Sequence, residues 1–315
     1  MLLRMILLRL GLALITLLSV SVFIFITTEI LPGDIAARVL GRESSEEARA
    51  VFRERLRLDR PVTERYLLWL GGAVRGDFGH SLVSERTVSE VVFPRMANTF
   101  ILATYAFIIY VPVTLILSIL AAIYHDRIPD TVISTLNLIG LSTPEFVIGT
   151  ILIYVFAVSM RVFPVMSQIQ RAENLGEIIY VTTLPAVTLS IAMAVYSIRM
   201  LRDNLIEVLN SEYVRMAILK GLPRYRVVLF HALPNAVVPA LNTMALNLAY
   251  LIGGVVVVEQ VFVFQGLGTL LVESVFLRDA PIIEAVALIV SGVYILANLF
   301  ADVMAIVLNP RLRAS

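Results

Sequence analysis

The reactive side chains of this sequence are few, and their types and spacing exclude most kinds of catalysis. The 315 residues include no cysteine, which excludes disulfides, thiolate metal sites and thiol nucleophiles. The three histidines, His80, His125 and His231, lie too far apart for the HExxH zinc motif. A phosphate-binding loop needs GxxxxGK followed by Ser or Thr, but the only lysine, Lys220, precedes Gly221. We therefore expect no enzyme activity and no cofactor in this chain, and any nucleotide that it uses must bind to another subunit.

Most of the polar chemistry gathers in one basic stretch, residues 212–236, which reads EYVRMAILKGLPRYRVVLFHALPNA and which we call the elbow. Asn210-Ser211 is expected to cap a helix that runs from Glu212 to Lys220, because Asn and Ser accept bonds from free amides and an acid suits the first turn. Gly221 then stands where helices commonly end in a left-handed residue. The sequence therefore predicts a helix with a sharp stop.

Beyond that stop, Pro223 is expected to begin a second helix that runs to Leu233 and ends at Pro234. The first helix carries an apolar stripe at helical spacing, and Ala217 keeps its middle narrow enough for another backbone or helix to approach closely. One interpretation is an interfacial helix on acidic lipid. The glycine stop and the second helix are more structure than attraction to lipid requires. The stripe and the surrounding basic residues are Tyr213, Val214, Ala217 and Ile218, with Arg215, Lys220, Arg224 and Arg226.

The elements that must position the elbow are apolar. Hydrophobic residues make up 59% of the chain, charged residues only 16%, and the mean hydropathy is +0.89, whereas soluble domains carry roughly 25% charged residues. A helix needs about 20 apolar residues to cross the hydrocarbon core. We predict an all-α, polytopic membrane protein with six transmembrane helices, at residues 9–30, 99–124, 132–159, 181–201, 237–262 and 282–308.

Charge in the short loops predicts the orientation, because short cytoplasmic loops are enriched in Lys and Arg. With the N-terminus inside, the outer loops hold only Arg161, Arg171 and Arg278. Both termini and the elbow are therefore expected in the cytoplasm. The basic residues on that side are Arg4, Arg9, Arg127, Arg199, Arg202, Arg215, Lys220, Arg224, Arg226, Arg311 and Arg313.

Residues 31–98 are then external and are predicted to be helical. The run Ser44-Ser45-Glu46-Glu47 has the pattern of a capping box, and Pro61 suits the start of a second helix that ends at Leu70. Tyr66 and Trp69 are expected to anchor this segment at the membrane interface. Either the segment packs as a cap beside the spans, or it docks an external protein or shields the mouth of a pore.

The elbow resembles a known family. EYVRMAILKGL is similar to the coupling loop of permease subunits in peptide-class ATP-binding-cassette (ABC) importers, and HALPNAVVP is similar to the segment that follows it there. Further likenesses occur in order along nearly the whole chain, from LPGD at 31–34 through STPEFVIGTILI at 142–153 to ANLFADVMAIVLNPRLR near the end. Asn309 stands where the family usually has Asp, and Gln265 where it often has Pro. The matching elbow residues are Tyr213, Val214, Arg215, Ala217, Lys220, Gly221, Leu222, His231, Ala232, Asn235 and Pro239.

The resemblance implies a role, partners and a location. Residues 1–30 would be an anchor span, 31–98 an external (periplasmic) segment, and 99–315 a permease domain with a coupling loop at 202–236. The expected partners are a second homologous permease, which makes a heterodimer, two cytoplasmic ATP-binding subunits and an external substrate-binding protein, with no nucleic acid. The cargo would be di- or oligopeptides at a bacterial inner membrane, with a nickel chelate, an opine or a sugar as alternatives. The residues expected to contact the ATPase are Glu212, Tyr213, Val214, Arg215, Ala217, Lys220, Gly221 and Leu222.

Glu145, near the middle of the third predicted span, is the first candidate for the substrate path. A charge at the bilayer centre costs about 2.5–3.5 kcal/mol on insertion scales, so it should face protein or water. It either attracts the cationic end of a peptide or is paired inside the helix bundle. Asn247 and Tyr250 are further path candidates, since residues three apart share a helix face.

Two other classes of membrane protein agree less well with the sequence. An ion-driven secondary transporter usually carries internal repeats and several buried ionisable groups, and this chain offers Glu145 and little else. A membrane-embedded hydrolase would need a metal cluster, GxSxG or paired acids, and the sequence has none of these.

Overall fold

The computed structural model of the chain describes residues 2–30, 45–55, 60–84, 86–237 and 255–308. Within these ranges the chain is helical and has no strand, apart from one isolated bridge between His80 and Thr87. The helices, in chain order, are α1 (Leu2–Ile30), α2 (Glu46–Arg55), α3 (Val62–Val74), α4 (Val88–Ile123), α5 (Ile128–Ser142), α6 (Glu145–Leu152), α7 (Leu175–Leu209), α8 (Glu212–Leu219), α9 (Leu267–Leu277) and α10 (Ala280–Leu308).

Four predicted spans coincide with long apolar helices, namely α1, α4, α7 and α10, which are able to cross a membrane by length and composition. Helices α4 and α7 begin earlier than predicted, because Thr87 and Asn174 cap them by accepting bonds from the amides of Glu90 and Glu177. The fifth predicted span, 237–262, lies mostly outside the described residues, although its end at 255–261 is helical. The all-helical class is thus confirmed for the described residues, and the number of six spans remains a prediction.

The third predicted span is not straight. Helices α5 and α6 meet at an angle of 110°, so a continuous helix over 132–159 is wrong. Thr143 leaves the helical region, at φ −104° and ψ 121°, directly before Pro144. A residue before proline is driven out of the α conformation, and the proline itself lacks an N–H to continue the ladder. Ile153–Ser159 then forms a π-helix.

The centre of the fold is the pair α4 and α7, which pack along much of their lengths. Their buried contacts include a hydrogen bond of 2.7 Å between the Tyr110 hydroxyl and Ser197 Oγ, and one of 2.8 Å from Ser190 Oγ to the Ala106 carbonyl. Hydroxyls of this kind join helices that meet in a membrane. The α4–α7 pair is the frame to which the other elements attach.

The external segment packs against α1. Ser45 Oγ accepts a bond of 3.2 Å from the Ala48 amide at the start of α2, and α3 begins after Pro61 and continues past Leu70 to Val74. The rings of Tyr66 and Trp69 lie 5.4 and 5.8 Å from that of Phe25 in α1. These two aromatic side chains therefore hold α3 to α1, as the interpretation of a packed cap expects.

Candidate functional site

The first arm of the elbow is α8, which starts at Glu212 as predicted. Ser211 occupies the cap position, but its hydroxyl donates back to the Val208 carbonyl instead of accepting a bond from α8. The predicted side-chain cap by Asn210-Ser211 is therefore wrong. Only two residues separate α8 from the end of α7.

The turn of the elbow follows the sequence prediction closely. Helix α8 ends at Leu219 with Lys220 as its C-cap, and Gly221 has a left-handed φ of +77°. The Gly221 amide donates to the Ile218 carbonyl at 2.9 Å. No atom lies within 4 Å of the place that a Cβ on Gly221 would occupy. The demand for glycine is thus purely conformational, because side chains with a Cβ disfavour this backbone state.

The second arm differs from the prediction. A short helical turn, Arg224–Arg226, leads into a π-helix, Val227–Ala232, and helical residues continue to position 237. The predicted end at Pro234 is therefore wrong. A proline ring clashes with the carbonyl four residues earlier in a regular α-helix. The wider π turn just before Pro234 gives that ring more room.

The two arms pack on each other through the apolar stripe. Val214 is fully buried and Ala217 is 6% exposed, and both pack against Val227 of the second arm. The Tyr213 hydroxyl also donates to the His231 carbonyl at 3.4 Å. The backbone that approaches the narrow stripe is thus this chain's own second arm.

The opposite face of α8 is open. Leu219 is 78% exposed and Met216 54% exposed, and the Arg215 side chain, 73% exposed, lies 3.6 Å from the Glu212 carboxylate. We call Leu219, Met216 and Arg215 the outer face of the elbow. Val214 and Ala217 point away from it. Ile218, which the sequence placed in the apolar stripe, is 57% exposed, so the accessible surface of α8 extends beyond the outer face.

The elbow is joined to both helices of the central pair. Arg224 Nη2 donates to the Ile123 carbonyl at the end of α4, at 3.0 Å. The start of α8 follows α7 directly, as described above. The elbow is therefore attached to the C-terminal ends of both α4 and α7.

Sequence reasoning missed an ion pair beside the elbow. Asp130, with 5% of its side chain exposed, accepts two bonds of 2.6 Å from Nε and Nη2 of Arg202. His125 Nδ1 lies 3.2 Å from the same carboxylate. His125, Asp126 and Asp130 lie close enough together to hold a metal ion, but the Arg202 guanidinium already supplies the positive charge. No local spacing links positions 130 and 202, so only the packing of α5 on α7 reveals the pair.

A second buried carboxylate, Glu259, was also missed. It is fully buried, and it accepts bonds from Thr99 Oγ1 at 2.7 Å and from the Thr269 amide at 2.9 Å. Thr99 Oγ1 in turn accepts from the Leu267 amide at 2.8 Å. The network fastens the start of α9 to α4. A lone acid within the run VVVVEQVFVF was the available signal.

The predicted path residues are not brought together among the described residues. Glu145 is half-buried in the first turn of α6, just after the break in the third span. Asn247 and Tyr250 lie outside the described residues. The role of these three residues stays a prediction.

Taken together, the geometry defines a multi-pass helical membrane protein with a polar elbow fastened to one end of its central helix pair. The family model for the inner membrane component of binding-protein-dependent transport systems matches residues 114–314, and the model for the N-terminal part of such components matches residues 2–103.

Relatives of known name agree with this match. A probable peptide ABC transporter permease protein, y4tP of Sinorhizobium fredii, is 36% identical over 294 residues, which are 93% of this chain and 94% of that protein. The glutathione transport system permease protein GsiC of Escherichia coli K12 is 37% identical over 298 residues, 95% of each chain.

The chain belongs to the family of binding-protein-dependent transport system inner membrane components. It is accordingly an ABC importer permease, a transport subunit and not an enzyme, and a multi-pass protein of the inner membrane. Membership of this family implies ATP-binding subunits and a substrate-binding protein as partners.

Proposed function

We propose that this permease forms half of the translocation path for di- or oligopeptides in a bacterial inner membrane, and that it pairs with a second, different permease subunit. The relatives named for peptide and glutathione transport support this cargo, since glutathione is itself a tripeptide. A nickel chelate, an opine or a sugar is the alternative cargo for the same machinery. An ion-driven mechanism is disfavoured by the family.

The proposed topology has six spans, with the elbow and both termini in the cytoplasm. The excess of Arg and Lys in the loops on that side supports it. This chain then needs no cofactor of its own, because two partner subunits bind ATP outside the membrane. The sequence without a P-loop fits this division of work.

The observation that carries the proposal is that α8 is buried on one face and exposed on the other. Its inner face is closed by Val227, while Leu219 and Met216 stay exposed. The start of α8 follows α7, and Arg224 of the second arm bonds to the end of α4. In the proposed mechanism the outer face docks on an ATPase, and its displacement on ATP binding moves the ends of α4 and α7. Among the residues that the sequence suggested as ATPase contacts, we therefore favour those whose side chains are exposed. The buried Val214 and Ala217 would instead transmit the movement to the second arm.

Crosslinking tests this docking directly, and the chain suits it because it contains no cysteine. A single Met216→Cys change should crosslink to an ATP-hydrolysing subunit in the assembled complex, with a yield that changes when nucleotide is added. Ala217→Cys is the matched control one residue away, and its burial should keep its yield low. If Met216→Cys captured only phospholipid, α8 would be an interfacial helix and the docking proposal would be wrong.

Uptake measurements test the proposed role of Glu145 as a contact for the cationic end of a peptide. Glu145→Gln should reduce uptake of peptides with a free amine more than uptake of amine-blocked peptides. An equal reduction for both would point to a structural role inside the helix bundle.

A further inference from the structure

A pocket of about 360 Å³ lies between α5 and α7, lined on α7 by residues 198–203, before that helix ends at Leu209 and leads into the elbow. Its polar lining comes from Ser134 and Asn137 of α5 and from Arg199, Arg202 and Asp203 of α7. The rest of the lining is apolar, from residues such as Ile133 and Ile198. The sequence connected none of these side chains with substrate.

The two arginines of the pocket are in different electrostatic situations. Arg202 is already occupied, because it holds Asp130 through two bonds and donates from Nη1 to Asp203 Oδ1 at 2.8 Å. Arg199 is exposed, and it makes no ion pair or hydrogen bond with the rest of the described chain. Because Asp203 bonds to Arg202, Arg199 is the guanidinium that remains available to a ligand.

Polar side chains of α5 and α7 lie on the sides of these helices that line the pocket. On α5, Ser134 and Asn137 share the pocket face, whereas Val132, Leu136 and Ile139 lie exposed on the opposite face. The opposite face is wholly apolar, whereas the pocket face combines these two polar side chains with the exposed Leu138 and Leu141. On α7, Tyr196, Arg199 and Asp203 continue the polar side along one exposed stripe.

A charged stripe on a membrane helix must face water or protein, because placing an arginine in hydrocarbon costs several kcal/mol. Arg199 lies two residues before the cytoplasmic end of the fourth predicted span, 181–201, so the water that this stripe faces is at the inner end of the spans, where the translocation path of a permease opens. The guanidinium presents paired N–H donors that match a carboxylate, and an amide such as Asn137 adds a neutral donor.

Resting on the proposed peptide permease function, we propose that this pocket binds a carboxylate of the transported substrate, with Arg199 as its charged donor. A peptide carries one at its C-terminus. The pocket lies where α7 approaches the elbow, so the carboxylate is held near the end of the path that ATP-driven movement reaches. The contact is distinct from Glu145, which would meet the opposite charge.

The test uses the complete complex in proteoliposomes with its binding protein. A defined mixture of tri- and tetrapeptides is supplied as free acids and as C-terminal amides, and uptake is quantified by mass spectrometry. Arg199→Gln should raise the concentration of free acid needed for half-maximal uptake about tenfold, the scale of one lost charged hydrogen bond, and leave the amides unchanged. Since the binding protein is the same in both complexes, the ratio of the two effects reports on the permease.

Two further variants make the result decisive. Arg199→Lys keeps the charge and should recover part of the free-acid uptake, and Arg171→Gln, an exposed arginine away from the pocket, should change neither form. Equal loss for acids and amides with Arg199→Gln, or no loss for either, would overturn the carboxylate pocket and leave the peptide function intact. Failure of the wild-type complex to import either form would count against the peptide function itself, before any residue is changed.

Discussion

The polar contacts between the long helices and those within the elbow differ in burial and in the sequence distance that they span. Between the long helices, Asp130 bonds to Arg202, 72 positions away, and Thr99 bonds to Glu259, 160 positions away. Both carboxylates are buried. In the elbow, the longest contact within the two arms joins Tyr213 to His231, 18 positions apart, and the outer face stays open. Long-range buried contacts fix the arrangement of the helices, whereas the elbow is a locally bonded hairpin with an open face that a partner can contact. Substitutions at the buried contacts between helices should therefore alter stability. Substitutions on the outer face of the elbow should alter the coupling of ATP hydrolysis to transport.

The largest loss of stability is expected from Arg202→Met. It removes both bonds to Asp130 and leaves a buried carboxylate without its partner, and breaking a buried pair in this way costs about 3–5 kcal/mol. Denaturant titration of the purified protein in detergent measures it. The double variant Asp130→Asn/Arg202→Met should lose less than Arg202→Met alone. Equal losses would mean that charge is not what makes this contact important.

Gly266→Ala should come next, at about 1–3 kcal/mol, a usual cost of overpacking. A Cβ on Gly266 would overlap the Glu259 carboxylate and Thr99 Oγ1, so the network could not keep its geometry. Gly11→Ala is the matched control, because nothing lies within 4 Å of the added atom there. The same titration compares the two, and a Gly266→Ala protein as stable as the control would contradict the importance of this packing.

Gly221→Ala should cost about 1–2 kcal/mol, the penalty of a left-handed residue with a Cβ, since the space around it is empty. Asparagine tolerates this conformation better, so Gly221→Asn should lose less. If the two variants lost the same amount, contacts of the side chain and not the backbone would decide the cost. Titration of both variants beside the wild type gives the comparison.

Leu219→Ala should have the smallest effect on stability, within about 0.5 kcal/mol, because surface substitutions away from special features change little. It should nevertheless weaken the coupling of ATP hydrolysis to substrate, since it truncates the most exposed side chain of the outer face. Substrate-stimulated ATPase activity of the assembled complex measures this. Normal coupling together with a loss of stability would contradict the proposal that the outer face of the elbow serves coupling and not stability.

Local features of the fold were largely predictable. The apolar runs predicted α1, α4, α7 and α10, and the glycine at position 221 predicted the left-handed stop of α8, because both depend on neighbouring residues alone. The same kind of reasoning was insufficient at Thr143-Pro144. Proline is tolerated inside α4 at Pro94 and Pro112, but it accompanies a 110° bend between α5 and α6. Which outcome occurs depends on the packing around each proline.

The sequence by itself determined that this is a helical membrane protein with a basic elbow and no phosphate-binding loop. Apolar runs, turn residues and short motifs each depend on residues that are close together in the chain. Only the tertiary structure decided which face of α8 is open, which arginine of α7 is neutralised by Asp130 and which remains available, and where Glu259 finds its donors. Burial and long-range pairing depend on which distant segments meet, and the spacing of residues along the chain carries no record of that meeting.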